Sequence, residues 1–91
     1  MIRLTHNYII DVTSNCYVLC VDKQRVDKKG REIYETIGYY STINAAITAA
    51  KEHCIKKHLI QETFTLNGAI EIIKQINKEF SDLLKEVLKS D

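Results

Sequence analysis

The chain changes its hydrophobic rhythm between Gly38 and Ala50, in the stretch GYYSTINAAITAA. Before it, apolar and polar residues alternate with the period of a strand. After it, apolar residues recur every three or four positions, as on one face of a helix. Tyr8 to Val12 (YIIDV) predicts a strand reaching back toward Ile2, and Thr13-Ser14-Asn15 reads as a turn by composition. Cys16 to Val21 (CYVLCV) is apolar on both faces, with Cys16, Val18 and Cys20 on one and Tyr17, Leu19 and Val21 on the other. Such a strand belongs in the middle of a sheet. Glu32 to Tyr40 (EIYETIGYY) predicts a third strand, in which Gly38 marks a bulge or a close backbone approach. With short connections, an antiparallel meander is the most economical arrangement of the three.

Ser41 is the expected N-cap of a first helix over about 42–59, whose Ile43, Ala46, Ile47, Ala50 and Cys54 share one face. Lys51, Lys56, Lys57 and His58 crowd its C-terminal half, the favourable end for cations. Thr63-Phe64-Thr65 suggests a stop and a new cap before a second helix over about 66–88. There Leu66, Ala69, Ile73, Ile76, Phe80, Leu83 and Val87 hold a heptad register, and Ile70, Ile72, Leu84 and Leu88 widen the stripe. Width of this kind suggests two contact surfaces, one for the chain's own sheet or first helix and one for a second copy. The plainer alternative is that the whole stripe covers its own sheet. The expectation is an α+β fold: a three-stranded antiparallel β-meander followed by two α-helices. It forms one domain over 1–91, with strands near 2–12, 16–23 and 32–40, and pairs as a homodimer through Ile73, Ile76, Phe80, Leu83 and Val87 or through the free sheet face.

Composition narrows the classes. A chain of 91 residues buries only about 60–65% of its unfolded surface, so association would help it. A net charge of +1 gives no global attraction to nucleic acid. Proline is absent, and three glycines leave no flexible linker. No apolar run nears the ~20 residues that span a bilayer, and MIRLTHNYII lacks the marks of a signal peptide. The expected location is therefore the cytoplasm, with no membrane partner. Cys16 and Cys20, four apart along a strand, would lie about 13 Å apart, beyond disulfide reach. All three cysteines read as reduced thiols.

Chemistry is sparse. Cys54 and His58 are one helical turn apart, but zinc needs three or four ligands and no CxxC or HExxH supplies the rest. Cys16 and Cys20 lie in apolar surroundings that raise a thiol pKa, the wrong direction for a nucleophile. Glu71, Glu79, Asp82 and Glu86 alternate with Lys74, Lys78, Lys85 and Lys89, the pattern of a solvated, ion-paired helix face. No glycine-rich phosphate loop is present. We expect no catalytic residues, metal or cofactor. The strongest polar feature is a basic loop over 23–31, where Lys23, Arg25, Lys28, Lys29 and Arg31 fall within nine residues. It could track a phosphate backbone, with Tyr34, Tyr39 or Tyr40 stacking on bases if they face the same way; lysine-rich tips also serve solubility alone.

The residues NYII, CYVLCVDK and DKKGREIYETIGYYSTINAAI, together covering about 7–50, resemble a family of small phage- and prophage-encoded proteins of low-GC Gram-positive bacteria. The family has no established activity, so Asn7, Tyr8, Tyr39, Tyr40 and Ser41 carry over as fold positions only. The resemblance implies a mobile-element setting, inside an infected bacterial host, where small proteins often act by binding. The leading expectation is a non-enzymatic accessory protein that binds a host protein stoichiometrically, such as an inhibitor of a CRISPR nuclease or another defence system. A nucleic-acid-binding accessory using the basic loop is the second reading. A sponge for a nucleotide signal, held between protomers, is the third.

Overall fold

The strands are β1 (Ile2–Arg3), β2 (Tyr8–Val12), β3 (Tyr17–Val26) and β4 (Glu32–Tyr40), and the helices, where the period becomes helical, are α1 (Ile43–Ile60) and α2 (Leu66–Lys89). The computed structural model describes the backbone of residues 1–89 and the side chains of residues 1–86. The fold is α+β, with four antiparallel strands in the order β1-β2-β3-β4. The expected three-strand count is corrected at the N-terminus. His6 (φ 56°) and Asn7 (φ 67°) take left-handed backbone in a 3-10 turn, Thr5–Asn7, which folds Ile2–Arg3 back along β2. The Leu4 N–H closes that turn on the Tyr8 carbonyl at 2.8 Å. Asparagine tolerates this region better than most residues.

The chain divides into two units, Met1–Ala46 and the residues from Ile47 onward. In the first, β3 lies between β2 and β4, the central position its two apolar faces demand. Tyr8 pairs with Val21 and Ile10 with Leu19, so these four share one sheet face, and all are buried. On the opposite face Ile9 pairs with Cys20, and Asp11 with Val18. Ile9 is buried there, whereas Asp11, Thr36 and Tyr39 are exposed. Gly38 fulfils both roles expected of a strand glycine. The β3–β4 register slips beside it, between Leu19 and Cys20, and a Cβ at Gly38 would stand 2.7 Å from the Tyr40 hydroxyl.

Helix α1 starts one residue later than expected. Thr42, not Ser41, caps it: Thr42 Oγ1 accepts the Ala45 N–H at 3.1 Å while the Thr42 carbonyl accepts the Ala46 N–H. A capping oxygen sits two or three residues before the orphan amide it serves, and here the amide is that of Ala45. Thr65 caps α2 in the same way, accepting the Gly68 N–H at 3.1 Å. In the second unit Ile47, Ala50 and Cys54 of α1 and Ile76 and Phe80 of α2 are buried. No helix among the described residues is long and apolar enough to cross a membrane.

Candidate binding surface on the β3–β4 hairpin

Strand β2 pairs with β3 only as far as Tyr8 and Val21, and beyond them β3 and β4 run on as a two-stranded ribbon. The expected loop over 23–31 is therefore shorter, since pairing resumes at Val26 and Glu32. Lys23 and Arg25 belong to β3, and only Asp27 to Arg31 form the tip. Asp27 organises it. The Gly30 N–H donates to the Asp27 carbonyl at 3.0 Å, closing a four-residue β-turn. Asp27 Oδ1 accepts the Lys29 N–H at 2.8 Å and the Arg31 N–H at 3.0 Å. Gly30, at φ 78°, supplies the left-handed residue that returns the chain to β4. Asp at the first turn position and Gly at the fourth form a turn signature that could have located this tip in the sequence.

The five cations are not equivalent. Lys23 is ion-paired with Glu35, and Arg31 Nε lies 3.6 Å from Asp27 Oδ2. Arg25, Lys28 and Lys29 are exposed and make no ion pair among the described residues. Local carboxylates thus reduce the basic patch to these three. The tyrosines do not gather behind it. Tyr34 and Tyr39 pair with Asp22 and Val18, on one face, while Tyr40 pairs with Tyr17 on the other. Tyr34 donates to a Glu32 carboxylate oxygen. That bond, with smaller contributions from desolvation and the charges of Glu32 and Asp22, holds its phenol above the usual pKa against the opposing effect of Arg3. An acidic neighbourhood of this kind opposes stacking of a phosphate-bearing base.

The Cys54–His58 pair sits within one turn of α1. His58 Nδ1 lies 2.9 Å from the Cys54 carbonyl, which can only accept, so this nitrogen carries the proton. Cys54 Sγ, 3.7 Å from the same nitrogen, finds no base there. Burial chiefly, with the nearby Glu79 carboxylate, raises the thiol pKa, and Lys57 only partly opposes this. Among the described residues no group of three or more His, Cys, Asp or Glu could hold a metal ion. A cavity of about 400 Å³ along the end of α1 is lined by His53, Lys56, Lys57, Ile60 and Gln61, with no carboxylate among them.

Of the five residues expected to pair two copies, two are buried within the chain. Phe80 is 0% and Ile76 4% exposed, so neither is open to a second copy. Ile73 and Leu83 are half-buried, and the Val87 side chain lies outside the described residues. Exposed large apolar side chains of the helical unit are Ile60 (82%) and Leu66 (77%), beside the turn between its helices, and Ile70 (37%), one turn further along α2. Leu66 thus leaves the stripe that its spacing assigned it to, because it occupies the first helical position, next to the cap. Compared with protein families, with curated proteins and with solved structures, the chain matches none.

Proposed function

We propose that the protein acts by stoichiometric binding of an acidic surface on a protein partner, through the tip of the β3–β4 hairpin, and carries out no reaction. The observation that carries this reading is the division of charge in the hairpin. Asp27 fixes the backbone and pairs with Arg31, leaving Lys28 and Lys29 exposed on a shaped turn and Arg25 exposed on β3 beside it. A solubility tag needs no shaped turn; recognition benefits from one, since an ordered loop loses less entropy on binding. In the mobile-element setting that the family resemblance implies, the partner would be a host defence component such as a CRISPR nuclease. The same reading places the protein in the bacterial cytoplasm.

The test compares the wild type with Arg25→Glu/Lys28→Glu/Lys29→Glu in capture from host lysate with and without nuclease, followed by titration against each captured protein. The expected result is loss of capture in the triple variant and saturation at a fixed ratio with both chains unmodified. Turnover by substoichiometric protein would reject the reading. Capture that depends on nucleic acid would point to the phosphate backbone instead. Three phosphate contacts would then weaken binding on the order of forty-fold between about 50 and 200 mM salt.

A further inference from the structure

A lone two-stranded ribbon is marginal in water, yet β3 and β4 extend as one beyond the Tyr8–Val21 pair. The ribbon also carries a defect. Lys23, Gln24 and Arg25 stand opposite the single residue Ile33, between the pairs Asp22–Tyr34 and Val26–Glu32. Left alone, such a bulge would let the basic tip swing. Among the described residues three non-glycine positions have left-handed backbone, His6, Asn7 and Gln24. Two of them are joined side chain to side chain: Gln24 Nε2 donates to Asn7 Oδ1 at 3.1 Å. The Gln24 N–H donates to Asp22 Oδ1 at 2.8 Å, and Asp22 Oδ2 faces Arg3 Nη1 at 3.6 Å. The bulge is thereby fastened to Arg3 of β1 and to Asn7, the last residue of the turn between β1 and β2.

We infer that the Asn7–Gln24 hydrogen bond is a latch that sets the angle of the ribbon, making Asn7 and Gln24 positioning residues for the cations at its tip. Bulges re-aim the side chains beside them, and this one lies between Lys23 and Arg25. Its importance for binding rests on the function proposed above; its mechanical role does not. The strained backbone at Gln24 persists because the latch and the Asp22 carboxylate over-determine it.

Gln24→Gly and Asn7→Gly separate the latch from the strain, since glycine accepts a positive φ freely and brings no side chain. Asn7→Asp keeps an oxygen for Gln24 Nε2 and serves as the conservative control. Amide hydrogen exchange by NMR on the full chain is expected to quicken roughly tenfold from Lys23 to Glu32 in both glycine variants, as for a locally opened segment. Exchange at Ile9, Ile10 and Leu19 should stay unchanged, and Asn7→Asp should match the wild type. Unchanged ribbon exchange, or an equal rise across the whole sheet, would overturn the latch. Affinity for a fluorescent poly-glutamate peptide should fall in the glycine variants, although their charge is unaltered. A loosened ribbon with undiminished affinity would remove the positioning role. Should the Arg25→Glu/Lys28→Glu/Lys29→Glu variant bind the peptide as the wild type does, the binding reading fails, and the exchange data still decide the latch.

Discussion

Cys54 shows how burial decides the chemistry of a single side chain. The residue is 1% exposed, against the half-buried Cys16 and Cys20. A thiol reagent should therefore modify Cys16 and Cys20 in the native protein, and Cys54 only as fast as the helical unit opens. Timed labelling with mass mapping checks this; prompt modification of Cys54 would contradict its burial. The raised Cys54 pKa carries a consequence for stability. The folded state favours the neutral thiol, so this contribution is complete below the unfolded value of about 8.5 and is lost as pH rises through the folded pKa. Urea midpoints should hold up to about pH 8 and then decline, and Cys54→Ala should flatten the decline. Tyr34 is raised too and acts in the same sense at higher pH, which makes Tyr34→Phe the control. At this scale the sequence was readable where chemistry is local. The spacing of Asp27 and Gly30 encodes the turn, and Gly38 announced its bulge. Gln24 was not readable, because nothing in glutamine favours φ 57°; it is held by the Asp22 carboxylate and by Asn7, 17 positions away.

Helices and strands followed their periodicity closely, and the errors lie where one backbone hydrogen bond chooses among neighbours. Glu32–Tyr40 matches the expected third strand, and α1 and α2 fall within a residue or so of their expected bounds. Ser41 and Thr42 are both sound caps by residue type, so composition alone does not rank them. The hydrogen bond from the Ala45 N–H picks Thr42. Thr42→Ala should therefore destabilise the fold by about 1 kcal/mol, and Thr65→Ala by a similar amount, with Ser41→Ala near neutral. Chemical denaturation of the three variants checks the assignment; an equal loss at Ser41 would return the cap to the earlier residue. The first strand failed differently. Alternation does not distinguish one strand of eleven residues from two strands joined by a reversal, and the left-handed pair His6–Asn7 lacks the glycine that usually signals one. The ribbon was hidden for a related reason: Lys23 and Arg25 look like loop residues, although they are held in β3 by the pairing that resumes at Val26.

For the whole molecule the open question is what the apolar surface of α2 does, because a stripe wider than a coiled-coil seam fits either a second copy or the chain's own core. Ile76 and Phe80 are buried in the single chain, and that fixes the sign of an experiment. A domain of this size is held by roughly 5–13 kcal/mol, and an unpaired carboxylate buried in an apolar site costs several kcal/mol. Ile76→Asp and Phe80→Asp should each remove most of the stability at every protein concentration, since the lost contacts are internal. Ile73→Asp and Leu83→Asp act on half-buried positions and give the informative comparison. If two copies meet along this face, the wild type melts at a temperature that rises with concentration. These two variants should then lower the mass seen by light scattering to that of one chain, with the helical circular dichroism retained. If the stripe serves only its own chain, the wild type has the mass of one chain at tens of micromolar and its melting is independent of concentration. That result would end the dimer reading while leaving the hairpin intact as a monomeric binding surface, because its ordering by Asp27 and its latch at Asn7 lie wholly within the first unit.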